Sequence, residues 1–170
     1  MAFTQTDNFE ALKQTIQEDI IIPGDQGYHD SLKRWSKLAQ KSAGAVAFVK
    51  TNKDVLQVID YVVKNNIDLA IKGIFLLLVS PKVLSNHIGG WHNPSGASSF
   101  EGGIVIDLLK YMTSLNMDID AKVVNVGAGA LWADVDAVTS PAGYGTVGGT
   151  VSHVCLDSFD IYRELTDRLE

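Results

Sequence analysis

The sequence predicts an α+β fold, and three stretches carry that prediction. "AVAFVK", "TNKDVLQVIDYVVKNN" and "DLAIKG" read as strand, helix and strand, a βαβ unit for which a right-handed crossover is expected. "SLNMDIDAKVVNVGAG" alternates on either side of an Asp-Ala turn, the pattern of two short strands. Between these units, "HIGGWHNPSGASSFEGGIVIDLLKYM" packs five glycines, a proline and several small hydroxyl residues into a loop, then a β-branched strand ending on Asp107.

In chain order, "TDNFEALKQTIQED" is an amphipathic helix: Phe9, Leu12 and Ile16 share one face, and Thr6 or Asp7 can cap it. "IIIPGDQGYHD" is an extended piece entering a turn, and "DSLKRWSKLAQ" a second helix capped by Asp30 or Ser31. "AVAFVK" is β-rich without clean alternation, as in a strand buried on both faces. The next helix has Thr51 as its cap and Val55, Val58, Ile59, Val62 and Val63 as its apolar stripe. "IFLLLVSPKVLSNHI" fits neither a helix nor a surface loop, and its apolar density is unusual for a connection. "GGIVIDL" is a strand, "ALWADVDAVTS" a short helix ending near Pro141, and "AGYGTVGGTVSHV" a second glycine-rich loop. The tail "DSFDIYRELTDRLE" has helical periodicity, with Phe159, Tyr162 and Leu165 on one side.

Composition narrows the functional classes. With 170 residues, 46% hydrophobic and 20% charged, the chain can bury one core or two small lobes. A net charge of −6, with no Lys/Arg block, argues against nucleic acid as a partner. A lone cysteine, Cys155, cannot close an intrachain disulfide. The N-terminal residues carry acids where a secretory signal has bases, and the longest apolar run, 74–84, is interrupted by Pro81 and too short to span a bilayer. A cytoplasmic protein without membrane partners is expected.

Most isolated motifs have ordinary structural readings. Gly143, Gly145 and Gly148 satisfy G-x-G-x-x-G, but the dinucleotide fingerprint needs a strand before it and a helix after it. His87, His92 and His153 have no metal-ligand spacing and no cysteine pair beside them. Asp134 and Asp136 sit two apart on a helix, on different faces, and read as solvated. Ser95, Ser98 and Ser99 lack a nucleophile elbow. Trp35, Trp91 and Trp132 read as core or rim. The loop over 89–97 differs because its features reinforce one another. Adjacent glycines let backbone amides turn toward an anion, and Asn93, Ser95 and Ser98 add neutral donors. A histidine among them can donate or attack. A structural turn and a site for a phosphorylated small molecule both fit these residues.

These residues carry a resemblance to a known family. "DLAIKG…GGWHNPSGASSFEGGIVIDLLKYM", "RWSKLAQKSAGAVAFVKTNKDVLQVIDYVVKNN", "VNVGAGALWADVD" and "GYGTVGGTVSHV" resemble, in order, the FAD-binding module of FAD-linked oxidases. That module is of the PCMH or vanillyl-alcohol-oxidase type, and the group is the one similar to berberine bridge enzyme and 6-hydroxy-D-nicotine oxidase. The resemblance implies two α/β lobes with FAD between them. It implies that Gly89, Gly90, Asn93, Ser95, Gly96 and Ala97 line the diphosphate loop and that His92 links to the flavin. It implies that Thr146, Gly148, Gly149, Thr150, Ser152 and His153 approach FAD from the second loop. Complete members pass a hydride from a small organic substrate to the flavin, which dioxygen reoxidises.

The chain departs from the family pattern in three places. Residues 74–88 form an apolar insertion, Trp91 separates the glycines from His92, and 155–170 replaces a glycine-rich continuation with an atypical helix. An irregular gene model or a remnant is one expected cause. The expected organisation is a helical and extended segment over 1–34, a partial FAD-binding domain over 35–154 and that tail, with no catalytic residue and no metal site. An incomplete sheet would leave edges open to association. Three functions stay open: a FAD-binding part of an oxidoreductase, an inactive truncated remnant that binds no flavin, and a nucleotide-binding module without redox chemistry.

Overall fold

The computed structural model describes residues 9, 12, 13, 19–73, 88–89, 96–146, 148, 151–154 and 162–167. Residues 74–87, 90–95 and 155–161 lie outside them, and with them the apolar run, Trp91, His92 and Cys155.

Two sheets organise the chain. The first has the order β1-β2-β5-β3-β4, built from β1 (Asp19–Ile21), β2 (Ala45–Phe48), β3 (Leu69–Lys72), β4 (Ile88–Gly89) and β5 (Ile104–Asp107). β1 is antiparallel to β2, and the other neighbours run parallel. The βαβ reading holds with one change: β5 lies between β2 and β3 and pairs with both. No local signal places a third strand there, because the pairing is set 35 or more residues downstream of the helix.

The helix of that unit, Asn52–Asn65, is called α2, after α1 (Tyr28–Ser31). Val55, Val58, Ile59 and Val62 are buried against alternate residues of the strands, Ala45, Ala47, Leu69, Ile71, Ile104 and Ile106. Phe9 and Leu12, helical and buried, belong to the same core, as the first amphipathic stripe predicts. Val63 does not join the stripe and is 48% exposed. At 3.6 residues per turn it lies about 90° off the stripe's centre. Ala43, Val46, Phe48, Ala70 and Val105 form a smaller cluster on the opposite face.

Thr51 caps α2 as expected. Its hydroxyl accepts from the Asp54 N–H, and the Asp54 carboxylate accepts from the Thr51 N–H at 2.7 Å and the Lys50 N–H at 3.2 Å. Burial pushes the Asp54 carboxyl up, but the hydrogen bonds from Thr51 and Lys50 outweigh it and hold the group below the usual carboxylate range. A depressed folded pKa adds stability that is complete above the unfolded value, about 3.9, and disappears as pH falls through the folded value. Asp54→Asn is therefore expected to lower the melting temperature at neutral pH and to flatten its decline below about pH 4. An acid limb as steep as that of the parent would refute this.

The predicted helix over "DSLKRWSKLAQ" is corrected. Helix α1 ends at Ser31, a 3-10 turn occupies Lys37–Ala39, and Trp35 and Leu38 are 66% and 93% exposed. The cause is Arg34. Its guanidinium is buried, and Nη1 donates to the carbonyls of Ser31, Leu32 and Lys33 at 3.2, 3.1 and 2.8 Å. Three carbonyls wrapped around one cation cannot also run along a helix axis.

The second sheet has the order β6-β7-β9-β8, from β6 (Leu115–Asp118), β7 (Val123–Val126), β8 (Tyr144–Thr146) and β9 (Tyr162–Asp167). β6 and β7 form the expected hairpin, whose turn is closed by the Ala121 N–H donating to the Asp118 carboxylate at 2.9 Å. Helix α3 (Trp132–Thr139) packs Trp132 and Val135 against Val124. The helical reading of the tail is also corrected, since Tyr162–Asp167 is a strand that pairs antiparallel with both β7 and β8. Two ladders of backbone hydrogen bonds outweigh the helix propensity of Arg163, Glu164 and Leu165. No helix among the described residues is long and apolar enough to cross a membrane.

Candidate functional site

Because β2, β3, β4 and β5 run parallel, their last residues share one edge of the sheet: Phe48, Lys72, Gly89 and Asp107. In register, Lys72 stands between Gly89 and Asp107. The Lys72 ammonium meets the Asp107 carboxylate at 2.7 Å, with side chains 8% and 2% exposed, and the other carboxylate oxygen accepts from the Leu109 N–H at 2.9 Å. Carboxyl ends of parallel strands are where α/β folds bind ligands. The chain enters residues 90–95 from this edge, directly after Gly89.

The far end of the glycine loop returns as a turn over 96–99, closed by the Ser99 N–H donating to the Gly96 carbonyl at 3.0 Å. Gly96 is left-handed, with φ 76°, and Ala97, Ser98 and Ser99 are buried. Arg34 grips this turn. Its Nε donates to Ser98 Oγ at 3.0 Å and its Nη2 to the Ser98 carbonyl at 2.5 Å. Burial lowers the Arg34 pKa to about 10 against the opposing pull of Asp107, so the group stays cationic at neutral pH. The Lys41 side chain runs beside Gly96, within 3.4 Å of where a Cβ would stand.

The second glycine segment lies against the second sheet. Thr146 ends β8, and Gly148 fits because a Cβ there would strike the Trp132 ring, 2.6 Å from Cε3. The N–H groups of Trp132 and Ala133 at the start of α3 donate to the carbonyls of Val154 and Ser152 at 3.2 and 2.8 Å. Asp134 accepts from the Leu131 N–H at 2.8 Å, so it caps the helix rather than standing in solvent as expected, while Asp136 is exposed. Ser152 and His153 are exposed. The G-x-G-x-x-G pattern serves packing: Gly143 ends a 3-10 turn, Gly145 pairs with Thr166, and Gly148 meets Trp132.

Of the thirteen residues singled out in the sequence, Gly90, His92, Asn93, Ser95, Gly149 and Thr150 lie outside the described residues. Gly89, Gly96 and Ala97 stand on the first sheet's side, and Thr146, Gly148, Ser152 and His153 on the second's. Two buried hydroxyls, Ser99 Oγ and Thr146 Oγ1, have no hydrogen-bond partner among the described residues. Each belongs to one of the two glycine segments. Buried hydroxyls normally find a partner, and leftover ones beside glycine loops fit a ligand rich in phosphate and ribose oxygens. Sequence reasoning missed Arg34, Lys41, Lys72 and Ser99. A signal existed for Lys72: two strands, "LAIK" and "IVID", end on opposite charges.

Comparison with known proteins agrees with this geometry. Residues 81–156 match the family model of the FAD binding domain. The FAD-linked oxidoreductase hasG of Aspergillus fumigatus is 27% identical over 138 residues, covering 81% of this chain and 26% of that protein. The solved 6-hydroxy-D-nicotine oxidase of Arthrobacter nicotinovorans superposes with a TM-score of 0.68 at 23% identity, over 81% of this chain and 26% of that one. BBE-like 1 of Physcomitrella patens gives 0.65 at 14% identity, over 89% and 29%. The chain thus spans about a quarter of the length of these relatives and carries the fold of their FAD-binding domain.

Proposed function

We propose, from this kinship with FAD-linked oxidoreductases, that the chain holds FAD at the carboxyl edge of its parallel sheet and serves as the cofactor-binding part of an oxidoreductase. The observation that carries the reading is Gly89. The strand that leads into the glycine loop ends on the same edge as Lys72 and Asp107, and the loop returns to a turn fixed by Arg34. Backbone amides of Gly89, Gly90, Gly96 and Ala97, with Asn93 and Ser95, line the diphosphate. Thr146, Gly148, Gly149, Thr150, Ser152 and His153 approach the cofactor from the second sheet. Bound FAD supplies hydride acceptance from a small organic substrate and reoxidation by dioxygen. The protein's residues contribute placement and charge. Arg34 and Lys41 bring cations to a loop whose own sequence has none between 88 and 100.

His92 is the proposed point of covalent attachment. After purification with excess FAD, the intact mass of the denatured chain is expected to rise by one FAD, and His92→Ala should abolish the increase. Flavin colour released on denaturation would limit the proposal to reversible binding. A chain that takes up no flavin after refolding with excess FAD would overturn it and leave an inactive remnant.

A further inference from the structure

Arg34 is a buried cation, 5% exposed, and among the described residues no carboxylate lies within ion-pair distance of it. Among the described residues its hydrogen bonds go to neutral oxygens: the carbonyls of Ser31, Leu32 and Lys33 on one side, the hydroxyl and carbonyl of Ser98 on the other. Among the described residues one N–H of Nη2 is left over. The acid whose charge opposes its burial is Asp107, which is already paired with Lys72. Burying a charge without a counter-ion is costly, and the local environment is then net positive. That positive region lies behind Ser98, inside the turn, next to Ser99, whose buried hydroxyl has no partner among the described residues.

We infer that Arg34 is a positioning residue for an anionic diphosphate: it fixes the turn over 96–99 and supplies the compensating charge that the glycine loop lacks. The inference rests on the FAD reading and extends it to a residue 55 positions before Gly89 in the chain. The planar fork explains why arginine stands here. Lysine could supply charge but could not hold Ser98 by two parallel bonds while crossing to three carbonyls.

The test compares FAD with riboflavin, which lacks the diphosphate, by fluorescence titration of the 170-residue chain. Arg34→Met is expected to weaken FAD by about 10- to 100-fold, the range of a hydrogen bond to a charged group, and to change riboflavin by less than about twofold. Arg34→Lys should recover part of the FAD affinity, since charge returns without the fork. Val58→Ala, a core change away from the turn, should lower the melting temperature and leave the FAD-to-riboflavin ratio unchanged. Equal weakening of both ligands by Arg34→Met, or unchanged FAD affinity, overturns the inference. If Arg34→Met fails to fold, the ratio in Arg34→Lys decides in the same way. A parent chain that binds no flavin defeats the FAD reading separately. Inorganic pyrophosphate then decides for Arg34: amide shifts over 96–99 in the parent but not in Arg34→Lys sustain it, and no shifts in the parent overturn it.

Discussion

Asp107→Asn is expected to destabilise the chain by about 3–5 kcal/mol, the range for breaking a buried ion pair by removing one partner. The substitution is nearly isosteric, so packing does not account for the cost. Lys72 would lose its paired carboxylate at a site where its side chain is 8% exposed, and Arg34 would lose the acid that offsets its burial. Urea denaturation of Asp107→Asn, Lys72→Met and the double variant Lys72→Met/Asp107→Leu separates the terms. Each single change removes one member of a buried ion pair, whereas the double change leaves two apolar side chains, so it should recover much of the loss. Additive costs in the double variant would show that the carboxylate acts mainly through the Leu109 N–H and not through Lys72.

Segments whose partners are close in sequence were legible. Helix α2 carries its own cap and stripe, and the β6–β7 hairpin carries its own turn, so local chemistry suffices. Strands β2, β3 and β5 were legible as strands, because β-branched residues buried on both faces leave few alternatives. Their order was not, since β5 inserts between β2 and β3 from a distance. The two wrong helices share one cause. At 30–40 the chain bends around a guanidinium whose main partner is 64 residues away, and at 162–167 two distant strands recruit a helix-prone segment. In both, long-range hydrogen bonds override local propensity.

The candidate site divides in the same way. Its glycines are visible in sequence because close backbone approach demands them, and their clustering marks the two segments. The charges that serve those segments are invisible there. In sequence the loop offers an anion only amides and neutral donors, yet folding brings Arg34 and Lys41 to Ser98 and Gly96. "KRWSK" looks like any solvated stretch, and only burial distinguishes the one arginine in it.

Gly129→Ala should be the most damaging glycine-to-alanine change among the described residues, because it acts where the chain after β7 meets the end of β5. Gly129 has no left-handed backbone, so conformational preference is not the reason for glycine. Space is. A Cβ there would strike the Leu108 carbonyl group, 2.6 Å from its carbon, and lie 2.9 Å from the Leu109 Cα. These are backbone atoms directly after Asp107 and cannot swing aside as a side chain would. The Gly127 and Gly129 N–H groups also donate to the carbonyls of Ser114 and Met112, each at 2.7 Å, so separation would loosen two hydrogen bonds. Overpacking of this kind costs about 3 kcal/mol. Gly143→Ala is the control with the opposite geometry: φ is 85°, but nothing lies within 4 Å of the new methyl. Its cost should be only about 1 kcal/mol, the penalty of a left-handed alanine. Chemical denaturation of the two variants should therefore rank Gly129→Ala well below Gly143→Ala, and flavin affinity should fall in the first alone, because only there does the clash press on the strand end that carries Asp107. Equal losses would mean that backbone strain, rather than the fit of the second sheet against β5, governs these glycines.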